Sequence, residues 1–131
     1  DQYLLDERYM GWAERNARES GGSVQVSHDI ASAYAGADVV YAKSWGALPY
    51  FGQWQGEIPM REQNRHFIVD EAKMALTNNG VFSHCLPLRR NIKASDGVMD
   101  SKACIAVQEA ENRLHVQKAI MDTLINHPEI T

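Results

Sequence analysis

An imidazole, a thiol, a fixed proline and three cations are packed into one run of this sequence, His84-Cys85-Leu86-Pro87-Leu88-Arg89-Arg90-Asn91-Ile92-Lys93. A histidine titrates near neutral pH and can polarise a bond, orient a neighbour or satisfy a core hydrogen bond. A thiol becomes a nucleophile only beside a base or a cation. Cys85 directly follows His84, and successive side chains of a strand point to opposite faces, so the two do not form a nucleophile and its base. A contact role suits Cys85 better, with a small buried hydrophobe as the ordinary alternative. His84, Cys85 and Cys104 lack the clustered spacing of a structural zinc site, and no metal is expected. Two further polar segments hold candidates: Lys43, and Glu109-Ala110-Glu111-Asn112-Arg113-Leu114-His115.

The elements needed to position these groups are legible. Val81-Phe82-Ser83 is a short apolar stretch opened by the turn signal Asn78-Asn79-Gly80, so the His84 run leaves the carboxyl end of a buried strand. Ligands of open α/β sheets bind at such ends. Asp38 to Ala42 reads as a buried strand delivering Lys43, and Cys104 to Val107 as another delivering the Glu109 segment. The three segments therefore converge along one sheet edge, although polar residues also follow strands simply because loops do. Val24-Gln25-Val26 alternates like a further strand. Helices are predicted from about Tyr3 to Ser20 with Gly21-Gly22 as the stop, from a Ser27 or Asp29 cap to Tyr34, and from Glu71 to Asn78 behind an Asp70 cap. Val69 and Met74 have the spacing of a hydrophobic staple there. Lys43 to about Gln63 and the stretch up to Asp100 read as irregular. A closing helix over 110–127 carries Leu114, Met121 and Ile125 on one stripe and Val116, Ile120 and Leu124 on an adjacent one, a wider apolar face than a surface helix needs. The sum is an α/β, Rossmann-like three-layer domain with a parallel sheet of about four strands flanked by helices.

The bulk properties agree. A length of 131 residues suits one domain, since domains commonly run to ~100 to 200. Hydrophobic content of 44% with 23% charged residues is that of an ordinary globular chain. A net charge of -4 argues against a general nucleic-acid binder. Neither a long apolar stretch nor a signal peptide is present, so no membrane partner is expected and the default compartment is the cytoplasm. Cys85 and Cys104 fit reduced thiols better than a disulfide framework.

His84-Cys85-Leu86-Pro87 resembles the second-substrate motif of the ornithine transcarbamylase family. Ala42-Lys43-Ser44-Trp45-Gly46-Ala47-Leu48-Pro49, the extension through Arg89 to Lys93 and the Glu109 to His115 segment resemble its N-acetylornithine carbamoyltransferase branch. The resemblance implies that residues 1–131 are the second-substrate domain of a two-domain enzyme of arginine biosynthesis, a homotrimer with shared active sites. Such enzymes carry a Ser-Thr-Arg-Thr-like carbamoyl-phosphate anchor in an amino-terminal domain. This sequence has no such run and opens on Asp1, so it is expected to be part of a longer chain whose closing helix packs back against that domain.

The implied reaction is attack of an amine on the carbonyl carbon of carbamoyl phosphate. By family correspondence the catalytic candidates are His84, Cys85, Leu86 and Lys93. Cys85, Leu86 and Arg113 would contact carbamoyl phosphate, and the Leu86 carbonyl would also face the amine. Lys43, Leu86 and Arg89 would bind the amino-acid substrate, with Arg89 a better candidate than Arg90 and one of the two structural. Ordinary ornithine transcarbamylases have an Asp-containing segment where Lys43 stands. A cation there suits an acylated, neutral α-amino group and leaves the α-carboxylate to Lys43. Lys93 corresponds to a lysine carboxylated in the acetylornithine branch. Arg89, Arg90 and Lys43 would lower its pKa from the usual ~10.4 and favour the carbamate, whereas the sequence by itself reads Lys93 as a surface lysine. No other cofactor is implied. The rival substrates are N-succinylornithine and ornithine, and the rival class is a non-catalytic amino-acid-binding module.

Overall fold

A computed structural model describes residues 3–43, 46–127 and 129. In chain order the elements are α1 (Glu7–Ser20), α2 (Ile30–Tyr34), β1 (Val39–Tyr41), α3 (Trp54–Gln63), α4 (Glu71–Met74), β2 (Val81–Ser83), α5 (Asp96–Met99) and α6 (Ala106–Asn126). They fall into two compact units, the described residues of 1–33 and 45–66 in one and those of 34–44 and 67–131 in the other. No helix among the described residues is long and apolar enough to cross a membrane.

In the first unit, Asp6 caps α1 by accepting from the Arg8 amide at 2.9 Å. Residues 3–5, which the prediction included, therefore lie outside the helix. Gly21, at φ 75°, ends α1 as the sequence implies, because a left-handed residue costs glycine least. Asp29 caps α2 through the Ala31 amide at 3.1 Å. Val24 to Val26 is not a strand, since no ladder partner pairs with it among the described residues. The stretch read as irregular contains α3. Its buried residue is not apolar but Glu57, which accepts from the Ala47 amide at 2.7 Å and pairs with Arg61. A helix organised around a buried carboxylate, with Pro59 inside it, lacks the apolar stripe that announces a helix.

The second unit is built around β2. It pairs in parallel with β1 in the register Val39 to Val81, Val40 to Phe82 and Tyr41 to Ser83. Phe82 and Ala94 are fully buried and pack with Val69 and Val98, with Tyr34, Val40, Met74, Leu88 and Cys104 against them. Gly80 brings the chain to this sheet: a Cβ there would stand 2.7 Å from the Ala37 carbonyl oxygen, so any larger residue would push the strands apart. Asp70 caps α4 through the Lys73 amide at 2.9 Å, and Val69 and Met74 share the core as a staple should. The helix stops at Met74, short of the predicted Asn78, and beyond it the Thr77 hydroxyl donates to the Met74 carbonyl and accepts from the Gly80 amide.

Of the four strands expected, two form. On the other side of β2 the predicted Cys104 to Val107 strand is reduced to one bridge, in which Phe82 donates to Ala103 and Ile105 to Phe82. Ile105 then turns to φ -109°, ψ 17° and the chain enters α6 at Ala106, four residues before the predicted start. A strand cannot continue through a residue already in that conformation. β1 is also less buried than its apolar sequence suggests, with Val39 and Tyr41 exposed and Val40 alone turned to the core.

Candidate functional site

The parallel register sets up the site. Because Tyr41 is paired with Ser83, the chain two residues further along each strand arrives side by side, and these residues are Lys43 and Cys85. The ladder extends one step through the Ala42 amide and the Ser83 carbonyl, 3.0 Å apart. Lys43 Nζ then lies 3.8 Å from Cys85 Sγ. From the other side comes α6. The Ser83 hydroxyl donates to Glu109 Oε2, and Arg113, one turn along, donates from Nη1 to the Cys85 carbonyl oxygen at 3.4 Å. Helical spacing puts Glu109 and Arg113 on the same face.

His84 is 1% exposed and lies beneath this edge. Its Nδ1 accepts from the Leu86 amide at 2.9 Å. Leu86 is in the left-handed region at φ 46°, and the Leu86–Pro87 peptide is cis. Burial pushes the His84 pKa down, Lys43 and Lys93 push it the same way, and Glu109 opposes them. The ring is therefore neutral at ordinary pH, and with Nδ1 committed to Leu86 it does not serve as a base for the Cys85 thiol. Both cysteines are free thiols. On β1 the Tyr41 phenol is pushed up to about 12, first by hydrogen bonding to Cys85, then by desolvation and by Glu109. It remains a donor across the working range of pH.

Lys43, Cys85, Leu86 and Arg113 are thus brought together, and Ser83, Tyr41 and Glu109 join them without having been singled out individually from the sequence. The signal for Tyr41 and Ser83 was their place immediately before the two motifs on neighbouring strands. Arg113 lies within α6 rather than opening it, because that helix begins earlier. Arg89 is exposed, and its side chain makes no hydrogen bond or ion pair among the described residues. Arg90 is the structural one: it spans Asp96 at 2.9 Å and Asp100 at 2.7 Å, so its charge is already balanced and does not bear on Lys93 as a bare cation. Lys93 is not the surface residue that sequence alone suggested. It is 8% exposed, with its amide on the Arg89 carbonyl and its own carbonyl accepting from Val69. Ser44 and Trp45 of the Lys43 motif lie outside the described residues.

Chemically, the edge offers an amine and a guanidinium on either side of a thiol and a backbone carbonyl. A permanent cation stabilises developing negative charge, and a carbonyl with a free lone pair can accept from an amine. The arrangement suits binding and orientation rather than covalent catalysis.

The family model of the Asp/Orn binding domain of aspartate/ornithine carbamoyltransferase matches residues 1–124. The chain is 77% identical over 123 residues to N-acetylornithine carbamoyltransferase of Xanthomonas campestris pv. campestris, covering 94% of this chain and 36% of that protein. It is 70% identical over 122 residues to the enzyme of the same name from Xylella fastidiosa (strain 9a5c), covering 93% and 36%. Ornithine carbamoyltransferase of Thermococcus kodakarensis is 37% identical over 123 residues. Among solved structures, acetylornithine transcarbamylase complexed with acetylcitrulline superposes with a TM-score of 0.87 at 77% identity, covering 94% of this chain and 37% of that one. The chain thus spans little more than a third of the length of these relatives.

Proposed function

The chain belongs to the aspartate/ornithine carbamoyltransferase family, and we propose that it is the amino-acid-binding part of an enzyme that carbamoylates the side-chain amine of N-acetylornithine. The carrying observation is the convergence of Lys43, Cys85, Leu86 and Arg113 where β1 and β2 end. The high identity to N-acetylornithine carbamoyltransferases supports the choice of acceptor. Lys43 pairs with the α-carboxylate of an acceptor whose α-amino group is acylated, and Arg89 approaches the same ligand. Arg113 and the Cys85 and Leu86 backbone hold carbamoyl phosphate. The amine nitrogen bonds to the carbonyl carbon while the bond from that carbon to the phosphate oxygen breaks. Phosphate leaves with the electron pair, and the amine loses a proton.

In this reading an amino-terminal part of the enzyme holds the phosphate, the working unit is a cytoplasmic homotrimer of arginine biosynthesis, and Lys93 is carboxylated. The near-complete burial of Lys93 supports the last point, because a carbamate is retained where water is excluded. The test replaces the matching third of the Xanthomonas campestris relative with this chain and supplies carbamoyl phosphate with N-acetylornithine, N-succinylornithine or ornithine. Acetylcitrulline formed faster than the other products is the expected result. A preference for ornithine would overturn the assignment of Lys43, and no turnover by a folded chimaera would favour the non-catalytic module.

A further inference from the structure

The least expected bond in the site joins a side chain to its own backbone. His84 Nδ1 accepts from the amide two residues on, at 2.9 Å, which is the pattern that asparagine and aspartate make in Asx turns. The residue thus held is Leu86, at φ 46°. A branched side chain rarely adopts that conformation unless its surroundings impose it. His84 is almost completely buried, so its ring has little freedom to release the amide. An acceptor Nδ1 leaves the ring proton on Nε2, which has no hydrogen-bond partner among the described residues.

We propose that His84 is a positioning residue: its neutral ring pins the Leu86 amide in the left-handed turn and so aims the Cys85 and Leu86 carbonyls. This rests on the reading above, in which those carbonyls face carbamoyl phosphate and the attacking amine. The alternative is direct action on substrate through Nε2. The downward push on the imidazole pKa from burial, Lys43 and Lys93, against Glu109, keeps the lone pair on Nδ1 available.

The two nitrogens can be separated by substitution in the full-length enzyme. In His84→Asn the amide oxygen stands near Nδ1 and can accept from Leu86, whereas in His84→Gln the longer side chain carries its amide to the place of Nε2. His84→Leu removes both. The expected result is that Asn keeps kcat within about fivefold of the parent while Gln and Leu lose on the order of 100-fold, the scale for a misplaced reacting group, with KM little changed. Urea unfolding of each variant separates this from loss of fold, and the Asn and Gln pair decides even where Leu does not fold. Activity retained by Gln and lost by Asn would overturn the proposal in favour of Nε2, and equal losses in Asn, Gln and Leu would overturn it in favour of simple packing. Where the parent enzyme itself transfers no carbamoyl group, the functional reading fails, and the inference is then decided by nitrogen-15 NMR of the His84 ring. An unprotonated Nδ1 supports it and a protonated Nδ1 overturns it.

Discussion

The Ser83 hydroxyl donates to the Glu109 carboxylate, and that bond fastens the end of β2 to the first turn of α6. One turn later Arg113 reaches the Cys85 carbonyl, two residues beyond Ser83. Helix and strand exit are therefore clipped at two points, one turn of helix apart.

Ser83→Ala should accordingly do more than remove one hydroxyl. The bond is to a charged acceptor on the edge of the core, and its loss costs about 1.5 to 3 kcal/mol of stability. Arg113 should also lose its purchase on Cys85. Urea unfolding would measure the first effect, and carbamoyl phosphate affinity of the full-length enzyme the second. A variant as stable as the parent would mean that the clip carries no weight.

Lys43 and Arg113 approach Cys85 from opposite sides, one at the thiol and the other at the carbonyl. Lys43→Ala should weaken N-acetylornithine binding by about tenfold to a hundredfold while sparing carbamoyl phosphate, and Arg113→Ala should do the reverse, each losing one charge-assisted contact. Calorimetric titration with each ligand would check this. Equal losses for both ligands in both variants would mean that the two cations do not divide the substrates.

How much of this arrangement could be read from the residues follows from what each element is made of. The Phe82 strand, the Asp70 cap and the Gly21 stop were legible because apolar runs, caps and left-handed glycines act through local chemistry. The convergence of Lys43 with the Cys85 segment was legible because parallel strands deliver their carboxyl ends together. Helix α3 was not, since Glu57 rather than an apolar stripe holds it. Nor was the end of the Cys104 strand, where Ile105 bends into α6 behind apolar residues that suit either element. The burial of Lys93 was hidden for a different reason: its carbonyl accepts from the Val69 amide, and nothing in a lysine's neighbours in sequence announces so distant a partner. The family roles came from motif resemblance and not from the residues' physical pattern.

Glu57 makes the first unit sensitive to acid. Its pKa is held below the usual carboxylate range, first by the Ala47 amide and then by Arg61, with burial opposing. A carboxyl whose pKa is depressed on folding contributes stability above its unfolded value, and that contribution is lost as pH falls through the lower folded value. Glu57→Gln should therefore destabilise the chain by about 1.5 to 3 kcal/mol near neutral pH, with the difference shrinking below pH ~4.3. Thermal melts from neutral pH down to the acid transition would check it. A parent and variant separated by the same interval at every pH would rule out the ionised carboxylate as the cause.

The closing helix makes the last expectation. Leu114, Val116, Ile120, Met121, Leu124 and Ile125 are 52% to 75% exposed, so both stripes of α6 face outward, while Ala106 is its one buried residue among those described. Fully burying an aliphatic side chain is worth ~1.5 to 3 kcal/mol, and six exposed on one helix favour association. On its own the chain should self-associate through this face. Replacing Ile120 and Leu124 with lysine puts charge in the middle of the patch without touching the Ser83, Cys85 or Arg113 contacts, so it should return the chain to a monomer while leaving its circular dichroism unchanged. Sedimentation velocity across a concentration series reads both states. A parent that sediments as a monomer throughout the series would show that α6 does not drive association.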